Sequence, residues 1–164
     1  MHNILYLWKK STMHTPSFDG ALRSAWMAVS KMYNREASKF HSTMATGFAL
    51  LNIDAAGTPS TALGPKMGME NTSLSRLLNA MEEKQLIRRS PDPEDGRRVL
   101  IFLTPFGKEK RDVSKSVVLR FNALVEADLN PIQIKHFFEV IETITTHSSV
   151  FEQHKNNPKL NTGT

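Results

Sequence analysis

A short hairpin pattern inside an otherwise helical sequence constrains the fold more than any other feature. Segments 86–89 and 99–103 are rich in the aliphatic and aromatic residues typical of strands, and the turn-forming sequence Pro-Asp-Pro-Glu-Asp-Gly lies at 91–96. An amphipathic helix is predicted directly before this hairpin, because its apolar residues recur at helical spacing: Leu74, Leu77, Leu78 and Met81. A shorter helix precedes it, opened by Thr58-Pro59 as cap and first turn, and Asn71 is expected to cap the amphipathic helix.

The order short helix, turn, amphipathic helix and hairpin predicts a winged helix-turn-helix module over residues 43–104. Apolar residues at helical spacing predict a long helix before the module, at 18–42, and two helices after it, within 105–147. Residues 1–17 are expected to form an N-terminal arm. Residues 148–164 are polar and without periodicity, which predicts a mobile tail. The expected fold class is mainly α (α+β), with a two-stranded β-hairpin wing.

The composition excludes several classes of protein. The 164 residues include no cysteine, which excludes disulfides and thiol switches, and no apolar run approaches the ~20 residues of a membrane span. No phosphate-binding loop, nucleophile motif or metal-ligand spacing is present, so we expect no enzyme activity, no cofactor and no metal. The net charge of +5 lies outside the predicted module, which carries as many acidic as basic residues.

The first residues do not resemble a secretion signal. The apolar patch at 4–8 precedes Lys9-Lys10, whereas a signal sequence places its charge first. We therefore expect a cytoplasmic protein without a membrane partner. Met13 is an alternative start to Met1.

The exposed side of the amphipathic helix has the residue types that read DNA. At 100° per residue, Thr72, Arg76 and Asn79 point away from the apolar side and Ser75 lies on the flank. Arginine pairs bidentately with guanine and asparagine with adenine, while Thr72 and Ser73 at the helix start suit a phosphate. For this helix taken alone, a solvated surface is the better interpretation, because most exposed helix faces carry such residues.

The second half of the hairpin is more specific. Residues 95–104, Asp-Gly-Arg-Arg-Val-Leu-Ile-Phe-Leu-Thr, match the pattern D-x-R-x-x-x-I-x-L-T at every specified position. With Leu86-Ile87-Arg88-Arg89 before it and a helix directly after it, this segment resembles the wing of the MarR family of bacterial winged-helix transcription regulators. The resemblance extends from Phe18 to His147 and includes Met67-Gly68-Met69 and Ser75-Arg76-Leu77-Leu78.

The resemblance implies a sequence-specific regulator of double-stranded DNA, a homodimeric repressor that binds a palindromic operator. It implies that Arg97 enters the minor groove. Asp95 can brace a neighbouring arginine by a charge-assisted hydrogen bond, and Arg98 lies on the same loop. Arg88 and Arg89 are expected as supporting basic residues. The first and the last two long helices would form the dimer interface, although an intramolecular core explains their apolar stripes equally well.

The resemblance also implies release of DNA by a small, often aromatic, ligand. Candidate pocket residues are aromatic and lie in or beside the long helices: Trp26, Tyr33, Phe40, Phe48 and Phe121. A packed core is the plainer interpretation of each.

Two departures from the family pattern are visible. Gln85 stands where most members have glycine after the second motif helix, which predicts either a strained left-handed residue or an altered turn there, and Gly64-Pro65 is expected to kink the first motif helix. The alternative function is a winged-helix protein-interaction module that does not bind DNA.

Overall fold

The computed structural model describes the backbone of residues 17–156 and the side chains of residues 17–151. It contains six helices and three strands in this described range: α1 (Phe18–Ser38), α2 (Met44–Asn52), β1 (Thr58–Pro59), α3 (Ser60–Met67), α4 (Asn71–Glu83), β2 (Ile87–Pro91), β3 (Val99–Leu103), α5 (Pro105–Glu126) and α6 (Pro131–Asn156). The predicted mainly helical winged helix-turn-helix fold is confirmed. Apart from Ser17, the predicted N-terminal arm lies outside the described residues.

The described chain forms two compact units. One is Trp26–Asn122, and the other comprises the described residues up to Ala25 and from Ala123 onwards. The first unit contains a single apolar cluster that joins α2, α3, α4 and the sheet. Its buried members are Ala49, Leu50, Ile53, Leu63, Leu74, Leu78, Met81, Leu86, Ile87, Ile101 and Leu103. The apolar side of α4 is therefore fixed against the rest of the module.

The sheet has three antiparallel strands in the order β1-β3-β2, one more than the predicted hairpin. Residues 58–59 were expected to cap and open a helix, and that expectation is wrong because they form β1, with Thr58 opposite Ile101. The Thr58 hydroxyl is used elsewhere: it accepts a hydrogen bond from the Asp54 backbone N–H at 2.8 Å. It thereby closes the loop after α2, and α3 begins at Ser60 without a side-chain cap.

Two further local expectations need correction. The first helix ends at Ser38 rather than at residue 42, because the chain turns through His41, whose φ is 52°. Asn71 is inside α4 and does not cap it; Glu70 holds the cap position in extended conformation. The helix α3 runs without interruption through Gly64 and Pro65 to Met67.

The end of α4 has the geometry that the sequence flagged as strained. Gln85 has a φ of 56°, and its N–H donates to the Glu82 carbonyl at 2.8 Å. The Leu86 N–H donates to the Met81 carbonyl at 2.9 Å. These two bonds form a Schellman motif, in which the left-handed residue is usually glycine. The expected departure at Gln85 is therefore accommodated in a normal helix end that carries a residue with a β-carbon.

The last helix is longer than predicted. The tail was expected to begin at residue 148, yet α6 continues to Asn156; residues 157–164 lie outside the described range. Hydroxyl side chains made this segment look irregular, but Ser148 and Ser149 donate to the carbonyls four residues earlier, which is compatible with a helix. Within residues 17–156, none of the helices combines the length and the apolar character needed to cross a membrane.

Candidate nucleic-acid interface

The outer surface of α4 presents the predicted DNA-reading side chains to solvent. Leu74, Leu78 and Met81 are buried in the core and fix the rotation of the helix. All of the residues predicted to enter the major groove are exposed: Thr72, Ser73, Ser75, Arg76 and Asn79. The short side chains near the helix start leave the backbone accessible, and the macrodipole there favours a phosphate.

Asn79 is hydrogen-bonded to the hairpin. Arg89 of β2 donates from Nη2 to the Asn79 Oδ1 at 2.7 Å and from Nη1 to the Glu82 Oε2 at 2.6 Å. The second bond is also an ion pair, so the positive charge of Arg89 offsets a carboxylate that would otherwise repel DNA on this side of α4. Arg89 therefore acts as a bridge between helix and hairpin, a role that the sequence reasoning missed.

Arg88 lies on the other face of the sheet from Arg89. Successive side chains of a strand alternate between faces, and Ile87 and Arg89 point towards α4. The Arg88 guanidinium lies 4.4 Å from the centre of the Phe102 ring, a cation–π contact between paired residues of β2 and β3. The structure thus does not bring the two expected supporting arginines together. Side chains alternate between the two faces of a strand, and this alternation is the sequence signal that places Arg88 and Arg89 on opposite faces.

The wing tip is organised by Asp95. One oxygen, Oδ1, accepts from the Arg97 backbone N–H at 3.1 Å, and the other, Oδ2, pairs with the Arg98 Nε at 3.3 Å. The Arg98 N–H also closes the turn onto the Asp95 carbonyl at 2.8 Å. Asp95 thus holds the Arg98 side chain, while the exposed Arg97 guanidinium has no ion-pair partner among the side chains of residues 17–151.

Thr104 connects the hairpin to the end of α4, which explains the final residue of the wing pattern. Its hydroxyl donates to the Gln85 carbonyl at 2.6 Å and accepts from the Gly107 N–H at 2.9 Å, which caps α5. A β-carbon on Gly107 would lie 1.9 Å from the Leu86 carbonyl oxygen, so only glycine allows α5 to approach this closely. The sequence pattern included Thr104 without a contact of this kind, and it did not single out Gly107.

The aromatic residues proposed for a pocket form a connected cluster within the first unit. The Tyr33 ring packs edge-on against both Phe48 and Phe121, each at a centroid distance of 5.8 Å, and Trp26 lies 6.4 Å from Phe48. Tyr33, Phe40 and Phe48 line a small cavity of about 50 Å³ between α1, α2 and α5; Trp26 and Phe121 do not line it. Burial raises the pKa of the Tyr33 hydroxyl.

Glu36 lies at the wall of the same cavity and links two helices. Its carboxylate binds the Lys39 Nζ at 2.6 Å and the Arg120 Nη2 at 3.0 Å. The hydrogen bond from Lys39, with the charges of Lys39 and Arg120, holds the pKa of the Glu36 carboxyl below its usual value. The ion pairs therefore tie α1 to α5 beside the aromatic cluster.

A larger cleft of about 320 Å³ adjoins the small cavity and reaches the residues that follow α4. Phe40 and Phe106 form aromatic walls, with the Lys110 Nζ 5.9 Å and 4.9 Å from their ring centres. Lys84 and Leu86, on either side of Gln85 in the Schellman turn, also line this cleft. Among side chains 17–151 no group of three histidine, aspartate or glutamate residues is placed to hold a metal ion.

Comparison with known proteins gives a family match and a shared fold. The model of the MarR family matches residues 43–99, the module that contains α2, α3, α4 and most of the hairpin. No curated protein matches the sequence. Many solved structures do, at 18–22% sequence identity in the examples that follow.

The MepR–DNA complex of Staphylococcus aureus has a TM-score of 0.74 at 18% identity, covering 81% of this chain and 99% of that one. The Streptomyces coelicolor transcriptional regulator PcaV, in complex with its natural ligand, has a TM-score of 0.66 at 22% identity and covers 83% and 99%. A probable transcriptional regulator from Pseudomonas aeruginosa has a TM-score of 0.67 at 22% identity, covering 78% and 96%. At these identities the likeness establishes the fold.

Proposed function

We propose that this chain, which belongs to the MarR family of DNA-binding transcription regulators, represses transcription as a homodimer bound to a palindromic operator in the bacterial cytoplasm. Regulators of this family are not enzymes, so DNA binding is itself the activity. The observation that carries the proposal is the joint arrangement of α4 and the wing. The exposed side of α4 offers Thr72, Ser73, Ser75, Arg76 and Asn79, and the hairpin, which Arg89 links to α4, carries the exposed Arg97 at its tip.

In this proposal, α4 enters the major groove and the wing follows the backbone into the adjacent minor groove. Arg76 pairs with a guanine edge, Thr72 and Ser73 contact phosphate, and Ser75 lies close to the groove wall. Arg97 inserts its guanidinium where a narrow minor groove concentrates negative potential. Arg98 is held by Asp95 and strengthens the local field, and Arg88 contributes charge from the other face of the sheet.

Exposed apolar side chains on the long helices support the homodimer. Phe137, Phe138 and Phe151 of α6 are 57%, 63% and 77% exposed. In the second unit the first turn of α1 and the end of α6 line an open apolar cleft of about 900 Å³, which includes Phe18 and Leu22. Extensive exposed apolar surface of this kind marks a protein interface. In a twofold dimer, each copy would bury this surface against the same surface of the other copy.

The cleft beside the end of α4 supports release by a small aromatic acid. Phe40 and Phe106 offer ring faces, Lys84 and Lys110 offer positive charge, and Leu86 connects the cleft to the Schellman turn. A ligand wedged there would shift the end of α4 relative to α1. Titration of a panel of benzoate-type acids into the protein–DNA complex tests this step: one of them should release DNA, and Lys110→Met should weaken that release at least tenfold.

The experiment that tests DNA binding is a gel-shift titration against selected duplex, repeated at several salt concentrations. Arg97→Ala should weaken binding by about tenfold or more and lower the salt slope. Arg111→Ala is the matched control, because it removes the same charge from an arginine that is paired with Asp112 on α5. Equal affinity of Arg97→Ala and wild type would refute the wing contact, and salt-independent binding of a protein partner would favour the interaction module instead.

A further inference from the structure

We infer that Arg89 is a positioning residue that sets base preference: it turns the Asn79 amide so that α4 selects guanine or thymine, not adenine or cytosine, at the base that Asn79 contacts. The inference rests on the proposed function, since it needs α4 in the major groove. It replaces the sequence-based expectation that Asn79 reads adenine with both of its polar atoms.

The orientation of the Asn79 amide follows from the chemistry of its partner. A guanidinium group has only donors, so the atom that faces Arg89 at 2.7 Å must be the carboxamide oxygen. The Asn79 Nδ2 is then turned away from β2, on the exposed surface of α4. The amide thus presents donors to solvent and directs its acceptor towards the hairpin.

Arg89 is well held for this task. The same guanidinium binds Glu82 at 2.6 Å, one turn further along α4, and its strand is paired with β3 through Ile101. Two bonds to two α4 residues fix the plane of the guanidinium, whereas a single ammonium could not reproduce both. The orientation of Asn79 is therefore built into the contact between helix and hairpin.

An amide with this orientation distinguishes bases by their major-groove atoms. Bidentate pairing with adenine needs the asparagine oxygen to accept from N6 while its nitrogen donates to N7. With the oxygen held by Arg89, the Nδ2 donors match the O6 and N7 acceptors of guanine or the O4 acceptor of thymine. Adenine shares the N7 acceptor with guanine, but its N6 amino group would oppose the second Nδ2 donor, and the N4 amino group of cytosine would oppose the donors in the same way.

The test is binding competition among four operators that differ only at the position whose preference is lost in Asn79→Ala. Wild type should prefer guanine or thymine over adenine by about tenfold or more. In Arg89→Lys this preference over adenine should fall to about twofold, while the salt slope is unchanged because the charge is kept. Arg111→Lys is the matched control, the same substitution at an arginine that is paired with Asp112 on α5 and lies outside the proposed interface, and it should keep the wild-type preference.

A second variant leaves Arg89 unchanged and alters Asn79 itself. Asn79→Asp keeps the shape of the side chain and the bond to Arg89 but has no donors, so it should shift the preference towards cytosine, whose N4 is a donor. A wild-type preference for adenine at this position, or an Arg89→Lys profile equal to wild type, would overturn the inference. An Asn79→Ala profile unchanged at every position would overturn it while leaving DNA binding intact. Absence of any selective binding by wild type would instead overturn the proposed function.

Discussion

Replacing Gln85 by glycine should stabilise the protein. Gln85 has a φ of 56° at the end of α4, and Gly68 has a φ of 61° at the end of α3. The ends of α3 and α4 therefore use the same left-handed conformation, α3 with glycine and α4 with a residue that carries a β-carbon. Gln85→Gly and Gly68→Ala are a matched pair, and they should change the free energy of unfolding in opposite directions.

The magnitude follows from two opposing terms. A left-handed conformation costs a residue with a β-carbon about 1–2 kcal/mol. Glycine loses about 0.5–1 kcal/mol more conformational entropy on folding. The net gain for Gln85→Gly is then about 0.5–1 kcal/mol, and Gly68→Ala should cost a similar amount. No atom lies within 4 Å of a β-carbon built on Gly68, so its change reports the backbone term without a clash.

The assay is urea unfolding at one fixed protein concentration, which matters if the protein is a dimer. With an m value of about 2–3 kcal/mol/M, Gln85→Gly should raise the midpoint by about 0.2–0.5 M. Gln85→Ala keeps the β-carbon and removes the rest of the side chain, so its midpoint should stay close to wild type. A stabilisation by Gln85→Ala equal to that by Gln85→Gly would refute the reasoning, because the side chain and not the backbone would then be responsible.

Three further changes test other parts of the account. Gly107→Ala should lower stability by about 1–3 kcal/mol in the same assay, because the new β-carbon would lie 1.9 Å from the Leu86 carbonyl oxygen; wild-type stability would show that α5 can move away freely. Thr104→Val keeps the shape but removes the cap of α5 and should cost about 1–2 kcal/mol by thermal unfolding. Phe138→Glu should give a monomeric mass in light scattering at micromolar concentration, since Phe138 is 63% exposed on α6, and a dimeric mass would exclude it from the interface.

The sequence predicted the fold because its strongest signals were local. The apolar spacing of Leu74, Leu78 and Met81 and the wing pattern at 95–104 each depend on neighbouring residues, and both match the observed elements. The strand Thr58–Pro59 was missed because its two residues form a strand only by pairing with Ile101 and Leu100, more than forty positions away. A threonine hydroxyl is equally suited to cap a helix and to close a loop such as the one after α2. The local sequence could therefore not distinguish these two roles for Thr58.

In the candidate site, too, the features set by neighbouring residues were predictable and those set by tertiary packing were not. Exposure of the predicted α4 residues follows from helical periodicity, and the turn at Asp95 follows from its short-range geometry. The bridge from Arg89 to Asn79 and Glu82 depends on how β2 lies against α4, which is set by tertiary packing. The role of Thr104 at the end of α4 likewise needs two segments that are separated by the whole hairpin.

Selection of bound sequences from a random duplex pool tests the central claim most directly. If two copies of α4 and the wing read DNA together, the recovered sequences should share a palindrome whose half-sites are about one helical turn, ~34 Å, apart. Arg76→Ala should then relax one position in each half-site symmetrically. Recovery of no common sequence, or of a single motif without twofold symmetry, would contradict the account.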